Sequence, residues 1–546
     1  MKRDLSNLTC QTFDVLVIGG GIYGACVAWE ASLRGLAVAL VEKSDFGGAT
    51  SANSLKIIHG GLRYLQKADF YRMRHSIFER KTLLKIAPHL VHPLPIVLPT
   101  LRGGRQSREV LRLALKINDW VSWDRNQGLT DPEKQIPEGC AISLQDLQQL
   151  IPNLPTTDLT GGVIFHDAQV YNSERLTLAF IQSAVSQGAI VANYAEVTGF
   201  LQNNGQVKGA KIRDVLSDDT FDVQAKAVVN TSGPWLNHLL RSLPRTSLNV
   251  PLAKAFNLVT RPLFNHSYAV GLSSQIGNRL FFIAPWRGKS LVGTAYSVSE
   301  DPPDRLSVTK EEITGFIEDI NQAYPAAQLN LEDVHFVHRG LLPCSQVNPL
   351  KLAEQYRLYD HRKEGYKGLL SVVGVKYTTA RGVAQKAVNW ILNTIGQKSI
   401  SSLSASTQLY GGEIERFDVF LQEAYHNLAF LSPASVQRLV YNYGSAYPKV
   451  LDYFEGDNNP NQWDMMKAEV RYSINAEMAQ TLSDVIFRRT EFGSAGVPTQ
   501  ETLQFCAEVM GREKGWSQKK IQEEVNQCLE MNLPFTQFQT QASVIK

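Results

Sequence analysis

Three glycines and one carboxylate carry the first legible chemistry of this 546-residue chain. Gly19, Gly21 and Gly24 form a G-x-G-x-x-G after an apolar run, Val15 to Ile18. Glu42 stands 18 positions past Gly24, at the end of a second apolar run, Ala37 to Val41. The order is strand, tight turn, helix, strand, acid, which is the pattern that seats a dinucleotide. Gly19 permits the turn, Gly21 lets backbone approach a pyrophosphate, and Gly24 lets helix and strand pack closely. The start of the helix offers free N–H groups and a positive dipole end to the phosphates. A carboxylate at Glu42 accepts hydrogen bonds from ribose hydroxyls and disfavours a 2′-phosphate, so NADP is not expected. The plainer alternative is a Gly-rich turn with nothing bound.

The positioning elements can be followed along the chain. Residues 67–98 read as a helix of mixed charge, ended by Pro88 and the spaced prolines Pro93, Pro95 and Pro99. Alternating segments from 160 to 230 return the chain to the nucleotide-binding part, including Gln206–Asp214 and Ala227–Asn230. Residues 250–350 are rich in strand signals, such as 281–284, 290–294 and 334–342. A further strand, Leu369–Val373, turns at Gly374 into a helix near Thr378. From about 405 onward the pattern is helical. The expected organisation is a nucleotide-binding domain from 12–98, 150–250 and 351–400, a sheet-based substrate domain from 99–149 and 251–350, and a helical domain over 405–546.

Composition limits the partners. The net charge of +3 is too small to mark a nucleic-acid binder. Six scattered cysteines without C-x-x-C spacing disfavour a zinc site or a disulfide framework and suit a reducing, cytoplasmic compartment. No uncharged apolar run reaches the roughly 18 residues of a membrane span. The stretch 101–125 is different: Arg102, Arg105, Arg108, Arg112, Lys116 and Arg125 accompany Leu111, Leu115, Trp120 and Trp123. A basic amphipathic helix with tryptophans can lie in a bilayer interface, here the inner face of the cell membrane. An ordinary surface helix is the competing reading.

Four separated segments are more specific than the glycine turn: 56–65 (KIIHGGLRYL), 229–235 (VNTSGPW), 374–381 (GVKYTTAR), and 470–472 (VRY) with 487–490 (FRRT). Through them the chain resembles the FAD-dependent glycerol-3-phosphate dehydrogenases of the aerobic, quinone-linked type over nearly its whole length. The resemblance implies an α/β fold: an FAD-binding Rossmann-like domain, a β-sheet-based substrate domain and a C-terminal α-helical domain. It implies FAD held by Gly19, Gly21, Gly24, Glu42, Thr50, Ser51, Gly60, Gly61, Val197, Gly233, Trp235, Gly374, Lys376, Tyr377 and Thr378. Gly60 and Gly61 would let backbone approach the isoalloxazine ring. The implied reaction is oxidation of a secondary alcohol, with a base taking the hydroxyl proton while a hydride moves to the flavin. His59 is one candidate base, with a backbone-bonded structural histidine as the alternative. Arg63 can hold an anionic group bidentately, Tyr64 can donate a hydrogen bond, and the Lys376 ammonium with a helix dipole would stabilise charge developing on the ring. Quinone or oxygen is the expected acceptor, and the helical domain is a candidate dimerisation element.

The departures fall in the substrate half. The family carries an arginine on the substrate phosphate where this chain has Leu342, a pocket histidine where it has Asn257, and an aspartate where it has Tyr296. Arg339 is close in sequence, but in a strand positions 339 and 342 face opposite ways. Glycerol 3-phosphate held by Arg63 and Lys376, with Asn257 and Arg339 as further candidates, is one reading. An oxidoreductase or oxidase of another hydroxy or amine substrate is the second, and a flavin-binding protein without activity is the third.

Overall fold

Successive side chains of the strand Phe13–Ile18 point to opposite faces, and both faces are buried. Val15 and Val17 join a core with the helices Ile22–Leu33, Ser173–Ser186 and Ala380–Ile395. Leu16 and Ile18 join another with the ribbon 195–230 and the helix Leu236–Leu240. A strand apolar on both faces suits a parallel sheet. Phe13–Ile18 pairs in parallel with Thr220–Asn230 on one side and Val38–Val41 on the other. Leu369–Val373 extends the sheet beyond Thr220–Asn230, Ile190–Ala192 beyond Val38–Val41, and Arg357–Asp360 closes one edge antiparallel. The computed structural model describes residues 1–155, 157–274, 279–456 and 461–531. Parts of the expected domain spans, namely 156, 275–278, 457–460 and 532–546, lie outside them.

A second sheet of ten strands is antiparallel apart from one parallel pair. Its longest ladder joins Val91–Leu101 to Leu159–Val170, from Val91 opposite Val170 to Leu101 opposite Leu159. Stretches expected in the nucleotide-binding part therefore build the second sheet. The prolines at 93, 95 and 99 lie within a strand, after a helix that has already ended at Ile86. The helix Lys310–Ala323 covers one face of this sheet with Ile313, Phe316, Ile317 and Ile320. The expected α/β architecture with a helical C-terminal part is observed. Among the described residues no helix is long and apolar enough to cross a membrane.

Candidate functional site

A long cleft runs along the C-terminal ends of the parallel strands, where ligands bind in open α/β sheets. Gly19 has φ 100°, and a Cβ there would meet the Thr231 carbonyl at 2.8 Å; one on Gly24 would sit 1.9 Å from the Gly19 oxygen. These two glycines are packing requirements, and Gly24 does not line the cleft. Gly21 does line it, and its nearest neighbour is Ser51 Oγ, which accepts from the Ile22 N–H at 3.0 Å. Glu42 accepts from the N–H groups of Gly20 (2.7 Å) and Ser44 (2.9 Å). Gly233 has no atom within 4 Å of where a Cβ would stand. Val197 and Trp235 complete this end.

The other end is built by the turn 374–378. The Tyr23 hydroxyl donates to the Lys376 carbonyl at 2.8 Å and accepts from the Val375 and Lys376 N–H groups, each at 3.0 Å. Gly374 is required here, because a Cβ would lie 2.1 Å from the Tyr23 ring. The Lys376 ammonium points at the Tyr64 hydroxyl and stands 4.2 Å from that ring's centroid. Burial, then the charge of Arg63, pulls the Lys376 pKa down to about 8. Tyr377 anchors the turn by donating to the Ser173 carbonyl at 2.7 Å. Thr378 lines the cleft just before the helix Ala380–Ile395.

His59 lines the same end, with a buried Nδ1 that has no partner among the described residues. Burial, then the charges of Lys376, Arg63 and Arg80, pushes its pKa down to about 3. Gly60 and Gly61 do not line the cleft. The space a Cβ would need is taken by Arg80 at Gly60 (2.4 Å) and by the Tyr64 ring at Gly61 (2.6 Å). Gly60 instead donates its N–H to Asp167, which Arg80 also holds. Arg63 is exposed beside this cluster and Tyr64 is buried.

On the substrate side, Asn257, Thr294, Tyr296 and Leu342 line the cleft. Asn257 accepts from Thr294 Oγ1 at 2.8 Å and donates to the Asn53 carbonyl at 3.2 Å, so its amide is already engaged. Thr50 Oγ1 donates to the Leu341 carbonyl (3.1 Å) and accepts from the Leu341 N–H (3.2 Å). Arg339 lies outside the cleft and lines a separate cavity. Two contributors were not read from the sequence. Tyr23 occupies a variable place within the glycine turn. Asp45, in the loop after Glu42, is gripped by Arg488 and Arg489, whose motif was visible without its partner.

A family profile described as FAD dependent oxidoreductase matches residues 14–390. A second, the C-terminal domain of alpha-glycerophosphate oxidase, matches residues 402–521. The chain belongs to the FAD-dependent oxidoreductases of the glycerol-3-phosphate dehydrogenase type. It is 31% identical to a glycerol-3-phosphate dehydrogenase of Synechocystis over 89% of this chain and 90% of that one. It is 30% identical to the human mitochondrial glycerol-3-phosphate dehydrogenase over 96% of this chain and 74% of that one. The structure of the Bacillus halodurans glycerol-3-phosphate dehydrogenase complexed with FAD superposes with a TM-score of 0.79 at 25% identity, covering 97% of this chain and 96% of that one. The cleft suits the FAD of this family: glycine backbone lining it at Gly21, open space at Gly233, a carboxylate at Glu42, and a buried, unpartnered His59 Nδ1.

Proposed function

We propose that the protein oxidises sn-glycerol 3-phosphate to dihydroxyacetone phosphate and passes the electrons to a quinone. The observation that carries this reading is the convergence of Lys376, Tyr64 and His59, with Arg63 beside them, at one end of a dinucleotide cleft. FAD, when bound, supplies the hydride acceptor. Gly21 and the start of the helix Ile22–Leu33 would hold its pyrophosphate, Glu42 its ribose, and the turn 374–378 its ring.

The chain's own work is to take a proton and hold an anion. An efficient general base has a pKa near the working pH. Lys376, at about 8, meets that condition, whereas His59, at about 3, is a very weak base. We therefore assign the hydroxyl proton to Lys376 Nζ. The resulting ammonium, with the positive end of the helix Ala380–Ile395, favours negative charge nearby. Arg63, exposed and without a hydrogen-bond or ion-pair partner among the described residues, is left to hold the substrate's anionic group. His59 remains neutral and serves as a polar wall.

The membrane side of the proposal rests on the helix Arg108–Val121. Leu115 and Val121 pack inward, while Leu113, Trp120 and Trp123 are exposed beside Arg112 and Lys116. Val121 and Ile117 share a cluster with Tyr64, which links that surface to the site. A lipophilic acceptor arriving from a bilayer suits this arrangement.

A specific observation favours a second reading, a different hydroxy or amine substrate. Leu342 lines the cleft where a phosphate-gripping arginine was expected, and the Asn257 amide is engaged by the protein. Anaerobic mixing separates the cases. Bleaching of the visible flavin band by glycerol 3-phosphate within seconds supports the first reading. Bleaching only by another alcohol or amine selects the second, and bleaching by dithionite alone leaves a protein without this activity.

A further inference from the structure

Behind the cofactor loop lies a second cavity that the proposed chemistry does not use. Three segments line both cavities, the loop 48–53, Pro234 with Trp235, and Gly340 with Leu341, so the two are neighbours across a shared wall. The strand Val334–Gln346 forms one wall of the second, and the C-terminal part forms another through Phe487, Arg488 and Ser494.

Most polar groups on its wall are engaged. Arg488 is bonded to Asp45 and Asp484, Asp304 to Lys43 and Trp235, and Thr50 to Leu341. Three are not. Arg339 is half-buried and has no hydrogen bond or ion pair among the described residues. Its pKa is lowered by burial, with no carboxylate offsetting that effect. His338 and Glu174 are each only 2% exposed, and His338 Nε2 and Glu174 Oε1 are buried without a partner among the described residues. Buried polar atoms are nearly always satisfied, so the two buried unsatisfied ones, on one cavity with the unpaired Arg339 guanidinium, point to something that completes them.

The chemistry of the missing partner follows from the three groups. A guanidinium fork selects a planar or tetrahedral oxyanion. Glu174 accepts from Lys56 Nζ at 2.9 Å through Oε2, and its second carboxylate oxygen, Oε1, is an acceptor aimed at the cavity wall without a donor among the described residues. The Asn53 amide donates to the Ala49 carbonyl, so its oxygen accepts from His338 Nδ1 at 3.0 Å, which leaves Nε2 as an acceptor in this tautomer. One cation and two acceptors call for a ligand with an acidic group and hydroxyl donors. We propose that this cavity is a second binding site, for a small hydroxylated oxyanion, with Arg339 holding the anionic group and Glu174 and His338 accepting from the hydroxyls.

Chemical protection on the flavin-loaded enzyme tests this site separately from the cofactor cleft. Phenylglyoxal modifies accessible arginines, and peptide mass mapping reports Arg339 and Arg63 individually. Glycerate, a carboxylate bearing two hydroxyls, is expected to slow Arg339 modification at least fivefold at saturation. Acetate, which lacks hydroxyls, is expected to need at least tenfold higher concentration. In equilibrium dialysis, Arg339→Met enzyme that retains its flavin is expected to bind one equivalent of glycerate fewer than the parent. An unchanged Arg339 labelling rate in glycerate, equal protection by acetate, or unchanged stoichiometry in Arg339→Met would overturn the proposal. Changes confined to Arg63 would belong to the cofactor cleft and would likewise count against a second site.

Discussion

Arg489 closes a bidentate pair on Asp45, with Nη1 2.7 Å and Nη2 2.6 Å from its two carboxylate oxygens, and both side chains are buried. The pair ties the C-terminal part to the loop that follows Glu42, some 440 residues earlier in the chain. Burial alone would raise the Asp45 pKa, but Arg489 and Arg488 outweigh it and hold the carboxyl down to about 2, against an ordinary 3.8. Removing one partner of a buried pair costs about 3–5 kcal/mol. Arg489→Met should fall at the lower end because Arg488 still holds Asp45, and the loosened loop should release flavin. Thermal unfolding and flavin content measure both; wild-type values for each would show that the pair is incidental. The same shift sets an acid limit. A carboxyl with a depressed folded-state pKa stabilises fully above its unfolded value, near 4, and that contribution is lost as pH falls towards 2.

The pH dependence of flavin reduction tests Lys376. A base acts when deprotonated, so the rate should rise with pH through about 8 and level off above it. Lys376→Met should slow reduction at least tenfold and remove the inflection. An inflection near 6.5 that survives in Lys376→Met would transfer the role to a histidine.

Tyr23→Phe keeps the ring that packs on Gly374 but removes the hydroxyl serving Val375 and Lys376. Stranding buried N–H groups costs about 1–3 kcal/mol each. The expected result is a lower melting temperature together with slower reduction, because the Lys376 backbone is no longer fixed. Slower reduction without destabilisation would contradict this account of the turn.

Leu342→Arg asks what the substrate wall was built for. A charge-assisted contact to phosphate contributes roughly 1.5–3 kcal/mol, about ten- to a hundredfold in affinity. If glycerol 3-phosphate is the substrate, its KM should drop by that order. An unchanged KM with intact folding favours a substrate without phosphate at this wall.

Trp120→Ala with Trp123→Ala should abolish co-sedimentation with anionic liposomes, and added salt should weaken the parent's binding through Arg112 and Lys116. Equal sedimentation of parent and variant would leave these tryptophans as ordinary surface residues.

What the sequence disclosed depended on how local each feature is. Gly19 and Gly24 could be read because strand, turn and helix lie within 30 residues and each glycine has one physical demand. Gly60 and Gly61 illustrate the limit. Glycine announces that something comes close, and only the fold reveals that the neighbours are Arg80 and the Tyr64 ring. Leu159–Val170 could be recognised as extended but not placed, since its partner Val91–Leu101 is some sixty residues away and sheet membership is not a local property. Tyr23 was invisible for the same reason: its partners begin at Val375. The opposed facings of Arg339 and Leu342 followed from strand periodicity alone, and the structure places them on different cavities.

The paired bonds of Thr50 to both the amide and the carbonyl of Leu341 stitch the loop after Glu42 to the wall carrying Leu342. Two hydrogen bonds at one hydroxyl therefore tie the place of Thr50 to that of the strand Val334–Gln346. Removing that hydroxyl would release both contacts at once, so a change in the loop would be felt at the wall.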